Sequence, residues 1–364
     1  MTNMLTYLER YGNLPFEKSS FNEIDALILA EAAYFDYAYL IKEEVSCFAE
    51  VKAEHLSEVV KSSFNAESDG ILLELLSRSS RFCSVHWSAY QSDNDVEKEL
   101  QFAAITFQLT AELFYLAFRG TDTTFLGWKE DFNMSFLKNI PSQAAALAYV
   151  EAFCQTHTAP FYLGGHSKGG HLAVYAGIKL AAKLRQRLRM IYNFDGPGFN
   201  HHALSYQAEK LARLIYKVVP QGSMVGVLFD TPEHFSVIKS TGSLIWQHDP
   251  FTWSVQNKHF EVAAELDLIA KYIEETVPTW LESLDEKTIS CVIDAVYQAI
   301  LETGVTSMLE VSTSHKGKGH LRILAKKLRT LDSKAQQAAL VLIKQLFATS
   351  LAEVKDIFDK DKWR

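Results

Sequence analysis

The run Gly165-His166-Ser167-Lys168-Gly169-Gly170 constrains this chain more than any other stretch. It follows a short apolar segment, Pro160-Phe161-Tyr162-Leu163, that reads as a buried strand, and helical periodicity resumes from Gly169 through Arg187. A Gly-x-Ser-x-Gly run between a strand and a helix predicts a turn so sharp that the serine is held in a strained backbone conformation. Its neighbours must then be minimal, which accounts for glycine at 165, 169 and 170. The helix start behind such a serine favours negative charge. The competing reading, a turn that packs or holds a phosphate, lacks the Gly-Lys-Ser/Thr ending of a P-loop. Ser167 is therefore the candidate nucleophile.

The flanking segments alternate in type. Residues 21–42 carry apolar groups at helical spacing behind Asn22, with Glu23 and Asp25 in the first turn, and predict one amphipathic helix. Residues 101–118 divide around Thr110 and Ala111 into two apolar runs that predict strands joined by a tight turn, with Arg119-Gly120-Thr121 as a break. Residues 142–156 read as helix, Met190–Phe194 as strand, 203–213 as helix and Leu214–Val219 as strand. Phe235–Lys239 and Leu244–Gln247 predict a final strand pair around Ser240-Thr241-Gly242-Ser243. Alternation of this kind predicts a mainly parallel sheet flanked by helices, and the serine turn at a strand end makes the expected fold class α/β, the α/β-hydrolase fold. From about residue 260 the pattern is helical, apart from a Gly/Ser/Lys-rich patch at 312–319. With 364 residues, the expectation is a catalytic domain over 1–260 with an N-terminal helical segment, and a helical C-terminal extension over 261–364.

Composition narrows the function classes. Hydrophobic residues at 48% and charged residues at 22% are ordinary for a globular chain. A net charge of -8 gives no electrostatic ground for nucleic-acid binding. The basic runs Lys183–Arg189 and Lys316–Arg329 read as solvated helix faces. Cys47, Cys83, Cys154 and Cys291 form no Cys-x-x-Cys pair and read as buried free thiols in a reducing compartment. Met1–Pro15 carries no basic and apolar leader pattern, and no run of about 18 apolar residues occurs, so no transmembrane segment and a cytoplasmic location are expected. Neither His-Glu-x-x-His nor a Cys/His cluster is present, so no metal and no cofactor are expected.

A serine hydroxyl needs a histidine base oriented by a carboxylate, and in this fold the chain order is serine, acid, histidine. That order excludes every histidine before Ser167. His171 falls in the helix after the turn, and His201-His202 lies too close to the next strand. His248, in Trp246-Gln247-His248-Asp249-Pro250, follows the last strand run and is the candidate base, with His234 or His259 as substitutes. Asp195 closes the strand Met190–Phe194 at the carboxyl end, where open sheets place their sites, and is the candidate acid. Asp230 is second, and Asp249 is too near the histidine. The oxyanion needs donors, one the backbone N–H of Lys168 and another from the early loop that holds Thr121. Phe125, Trp128, Phe132, Phe136, Trp246, Phe251 and Trp253 would suit an apolar acyl chain, or would serve as core and cover.

The stretch Ala117-Phe118-Arg119-Gly120-Thr121, then Trp128-x-x-Asp131, then Gly165-His166-Ser167-x-Gly169-Gly170-His171-Leu172-Ala173, resembles the class 3 lipases. That resemblance implies Thr121 as an oxyanion residue, Asp131 as a structural anchor, and the segment around Trp128 as part or border of a lid. The chain departs from the lipase pattern twice. It has Lys168 where those lipases carry Leu, and Pro220-Gln221-Gly222-Ser223 where they place their acid, which leaves Asp195 as the replacement, in a setting similar to that of pancreatic-type lipases. Over about 20–260, Phe21-Asn22-Glu23-Ile24-Asp25, Tyr34-Phe35-Asp36, Asp195-Gly196-Pro197-Gly198-Phe199, Pro220 to Gly226, and Gln247-His248-Asp249-Pro250 with Trp253 resemble an intracellular bacterial lipase-like group, a domain of unknown function. The expected activity is a serine hydrolase, a carboxylic ester hydrolase acting on a small-molecule acyl ester or thioester, lipids included. The alternative is a non-catalytic scaffold on the same fold that binds a protein or small-molecule partner.

Overall fold

A computed structural model describes residues 2–122, 130, 133–134, 140–199, 202–229, 235–282, 285–302 and 335–336. The chain opens with α1 (Met4–Tyr11), α2 (Glu23–Ala32), α3 (Tyr37–Lys42), α4 (Ala53–Val59) and α5 (Ala66–Arg78). Asn22 caps α2 by accepting from the N–H groups of Ile24 and Asp25, while Asp25 accepts from the Asn22 N–H, a capping box. The single helix expected over 21–42 is two: the chain turns at Tyr34-Phe35, and Asp36 starts α3 by accepting from the Tyr39 N–H. Asp25 is buried and does more than cap. It takes Nε of Arg81 at 2.7 Å, Nη2 at 2.5 Å and the Tyr7 hydroxyl at 2.8 Å, so one carboxylate ties α1, α2 and the chain after α5 together.

The sheet and its helices follow: β1 (His86–Asp95), β2 (Leu100–Thr110), β3 (Leu113–Phe118), α6 (Pro141–Thr156), β4 (Phe161–His166), α7 (Lys168–Lys179), α8 (Ala182–Arg185), β5 (Leu188–Phe194), α9 (His202–Lys210), β6 (Ile215–Pro220) and β7 (Phe235–Ile238). Among the described residues these strands form one seven-stranded sheet in chain order. β1, β2 and β3 are antiparallel neighbours, and β3 through β7 are parallel. The N-terminal helices cover one face, with Ile24, Leu27, Ile28 and Phe35 in a core that includes Tyr115, Tyr192 and Phe194. α6 and α7 cover the other, with Val150, Phe153, Leu172 and Ala176 in a core that includes Phe114, Leu116, Phe161 and Leu163. Burial on both faces is why these strands read as continuous apolar runs. A mainly parallel sheet between two helical layers, turning into a helix at the serine, is the α/β-hydrolase fold.

Three further expected elements change. The helix read over 169–187 stops at Lys179, where Leu180 and Ala181 are extended, before the short α8. The helix read over 203–213 ends at Lys210 and is followed by a 3₁₀ turn, Ala212–Leu214. Leu244–Gln247 is not a strand, because Leu244–His248 forms a 3₁₀ turn. Ile238 and Ser240 pair instead with Val262 and Trp253 of the returning chain, so the positions a hairpin partner would need are taken. β8 (Val255–Gln256) and β9 (His259–Phe260) form a small hairpin there. α10 (Leu268–Glu282) then lays Ala270, Ile273 and Val277 against Val219 and Val227, and α11 (Glu286–Glu302) follows. The Gly/Ser/Lys-rich patch and the basic run 316–329 lie outside the described residues.

All four cysteines are unpaired. Cys47 and Cys154 are buried as expected, whereas Cys83 is half-buried and Cys291 exposed, because Cys291 falls on the solvent side of an amphipathic helix. In the basic run 183–189, Arg185 donates to the carbonyls of Ile178 and Leu180, and Arg187 to those of His157 and Cys154. Among the described residues no helix is long and apolar enough to cross a membrane.

Candidate active site

β4 ends at His166 and α7 begins at Lys168, so Ser167 alone turns the chain, at φ 56 and ψ -130. Residues with a β-carbon rarely occupy that region. The approach behind it is tight: a β-carbon on Gly165 or Gly169 would collide with the Phe118 carbonyl, so glycine is required for α7 to pass this close to β3. Ser167 itself is half-buried, and its N–H donates to the Phe194 carbonyl of β5 at 2.9 Å.

β5 repeats the device. It ends at Phe194, and Asp195 turns away at φ 52 with its side chain fully buried. One carboxylate oxygen, Oδ2, lies 2.6 Å from Nδ1 of His248. The other, Oδ1, accepts from the Ser223 hydroxyl at 2.5 Å and the Gly226 N–H at 3.1 Å. A β-carbon on Gly226 would run into that oxygen.

His248 arrives on the 3₁₀ turn and is held on both sides. The Gln247 side chain accepts from the Gly222 N–H at 2.8 Å, and the Gln247 carbonyl accepts from the Trp253 indole at 2.8 Å. The His248 carbonyl accepts from Nε2 of His166 at 2.9 Å, and the two imidazole rings stand 4.5 Å apart. Burial first, then the neighbouring His248, pulls the His166 pKa well below the usual histidine range, so His166 acts as a neutral donor. Nδ1 of His248 is thus committed to Asp195.

The early loop comes alongside. A β-carbon on Gly120 would press on the Tyr34 hydroxyl, the His166 carbonyl and the Ser167 β-carbon, which brings Thr121, itself buried, next to the turn. Lys168 follows the serine with its N–H at the start of α7, while its side chain is only 1% exposed. Its ammonium lies 2.9 Å from Glu130 Oε2, 3.0 Å from Gln101 Oε1 and 3.1 Å from the Gln101 carbonyl.

The competing histidines and acids occupy other settings. His171 is buried in α7, with Nε2 facing the Gln143 amide at 2.8 Å and Nδ1 facing the Pro197 carbonyl at 3.1 Å, and burial lowers its pKa to about 4. His259 is exposed beside Glu23 at 2.6 Å. Asp249 caps the next turn through the Phe251 N–H at 2.9 Å and accepts from Asn65 at 3.0 Å. Of the aromatic residues, Phe251 and Trp253 are buried core, and Trp246 is 64% exposed. Phe125, Trp128, Asp131, Phe132, Phe136, His201, Asp230 and His234 lie outside the described residues.

Sequence reasoning did not assign Ser223, Gly226, His166, Gln101 or Glu130. The signal for the first two was the run Pro220-Gln221-Gly222-Ser223-x-Val225-Gly226, whose glycines mark a loop in close backbone approach. A buried acidic group also sits behind Asp249. Burial, followed by Asp69 and Asp249, drives Glu31 well above the carboxylate range, and burial raises Asp69 to about 7 against a hydrogen bond from Ser63.

Sheet order and turn together define the α/β-hydrolase fold, with a strand–serine–helix elbow at Ser167. The chain belongs to the Mbeg1-like family, whose profile matches residues 76–298. Among solved structures it is similar to M37 lipase, with 16% identity and a TM-score of 0.38 over 57% of this chain and 70% of that one. It is also similar to a mutant form of MDLA from Penicillium cyclopium, with 15% identity and a TM-score of 0.42 over 65% and 82% of the two chains. Lipase II from Rhizopus niveus gives 16% identity and a TM-score of 0.39 over 66% and 82%. No curated protein matches the sequence.

Proposed function

We propose that the protein is a cytoplasmic bacterial serine hydrolase of the lipase and esterase type, acting on an acyl ester or thioester through Ser167, His248 and Asp195. Residues 1–260 form its catalytic domain and 261–364 a helical extension. The observation that carries this reading is the 2.6 Å bond between Asp195 and His248, beside a serine held at positive φ. Nε2 of His248 takes the Ser167 proton as Oγ attacks the acyl carbon, and Asp195 stabilises the imidazolium that results. The backbone N–H of Lys168 and the Thr121 loop receive the developing oxyanion. His248 returns the proton to the departing alcohol or thiol, and water then releases the acyl group with the same histidine as base.

The test is hydrolysis of p-nitrophenyl esters from acetate to palmitate by the wild type and by Ser167→Ala, with fluorophosphonate labelling in parallel. Turnover and labelling confined to the wild type are the expected result, and the series ranks chain-length preference. Equal background rates and no labelling in either protein would favour the non-catalytic scaffold.

A further inference from the structure

Lys168 carries a buried charge that the mechanism above leaves unused, since only its backbone N–H faces the reaction. The ammonium and Glu130 are both almost fully buried and lie 2.9 Å apart. Such a pair costs desolvation and stabilises weakly if at all, so its role is better sought in specificity of geometry. The partners say which geometry. Glu130 Oε2 also accepts from the Gln101 N–H at 3.1 Å, and Oε1 accepts from the Ser142 N–H at 3.0 Å, in the first turn of α6. Asn133, one helical step on, donates to Glu99 at 2.5 Å. Glu130 is thus moored to the start of β2, to α6 and to the elbow helix at one buried point.

Strand order gives that point its meaning. β2 runs antiparallel to β3 with Ala104 opposite Phe118, so Gln101 lies at the end of the sheet where β3 exits into Arg119-Gly120-Thr121. The Arg119 N–H bonds the Ala103 carbonyl there at 3.0 Å. Lys168, at the end of β4, therefore reaches across the β3 exit to β2, because β3 lies between those strands.

We infer that the Lys168 side chain is a positioning residue for the oxyanion site: it fixes the start of β2, which flanks the β3 exit carrying Thr121, to the same residue whose N–H supplies the other donor. This rests on the serine-hydrolase reading. A misplacement near 1 Å of one donor costs about 100-fold in rate.

The experiment compares wild type, Lys168→Met, Lys168→Arg, Glu130→Gln and the double variant Lys168→Met/Glu130→Gln in the full chain. It reads fluorophosphonate labelling rate and stoichiometry, kcat and KM on the best p-nitrophenyl ester, and thermal unfolding. Lys168→Met is expected to lose about 10- to 100-fold in kcat with KM within about 3-fold, while still labelling to full stoichiometry, slowly. Lys168→Arg should recover part of the rate. The double variant, with no unpaired charge left, should regain unfolding temperature but stay slow, because the mooring is gone. Should Lys168→Met not fold, the Arg and double variants carry the same comparison. Wild-type kcat in a folded double variant would overturn the inference and leave the pair a purely structural feature. Absence of labelling in the wild type would overturn the serine-hydrolase reading and this inference with it.

Discussion

Ser223 donates its hydroxyl to Oδ1 of Asp195 at 2.5 Å from the loop after β6, the loop in which the resemblance to class 3 lipases places an acid. The serine stands where that acid is missing and supports the carboxylate that comes from one strand earlier. Oδ1 also receives the Gly226 N–H, and Oδ2 faces His248. Asp195 is therefore oriented from two sides, as a group that must hold one imidazole tautomer needs to be.

Asp195→Asn should keep the fold, because asparagine tolerates the positive φ at this position. Its effect on catalysis should be severe, about 10³- to 10⁴-fold in kcat, since an amide cannot hold His248 in the same tautomer or stabilise its charged form. Steady-state kinetics beside a circular dichroism spectrum checks this. Full activity would move the acid to Asp230.

Ser167→Gly should raise the unfolding midpoint while abolishing turnover. At φ 56 the serine β-carbon is strained, and glycine relieves that strain against its own greater chain entropy, a net gain of about 0.5–1 kcal/mol. Urea unfolding followed by fluorescence reads the difference. A loss of stability would mean that the turn is not strained.

Arg81→Met should destabilise the protein by about 3–5 kcal/mol, because it strands the buried Asp25 carboxylate. The guanidinium also holds the carbonyls of Leu14, Ser19 and Ser20. Chemical denaturation measures the loss. Turnover per folded molecule should be close to wild type, since none of these groups touches the candidate site.

Asp69 supplies a pH dependence. Burial raises its carboxyl to about 7, so between its ordinary pKa of 3.8 and 7 the folded state holds a proton that the unfolded chain has released. The sign follows: stability from this group is fully present at low pH and is lost as pH rises toward 7. His171, lowered to about 4, acts in the opposite sense, losing stability as pH falls below the ordinary histidine value. The informative quantity is therefore the difference between Asp69→Asn and wild type, which should grow in favour of the variant from pH 4 to pH 8, by on the order of 4 kcal/mol. A pH-independent difference would show that Asp69 does not titrate in this range.

Legibility in the sequence followed the range of the interactions. The β2–β3 hairpin, β4, the serine turn and β5 with Asp195 just beyond it declare themselves within a dozen residues, through apolar runs bounded by glycine and by turn residues. β1 was not anticipated, since an edge strand of mixed burial ending Gln91-Ser92-Asp93-Asn94-Asp95 carries no apolar run. Leu244–Gln247 reads as a strand because four residues cannot separate a period of two from a 3₁₀ turn. Residues 119–140 gave no local sign that Glu130 would face Lys168, 38 positions away, or that the ammonium would reach Gln101, 67 positions away. Those partnerships are set by strand order alone.

Residues 2 and 3 are seated against a part of the chain far from them in sequence. The Thr2 carbonyl accepts from the Val255 N–H at 2.8 Å, and the Asn3 amide donates to the Phe251 carbonyl at 2.8 Å. Residues 2 and 3 are thus clamped by the segment just beyond His248, some 250 positions along the chain. The opening helix, already held through Tyr7 to Asp25, gains a second fastening from the segment that follows His248. Loosening residues 2 and 3 would therefore be felt directly at the turn that presents His248.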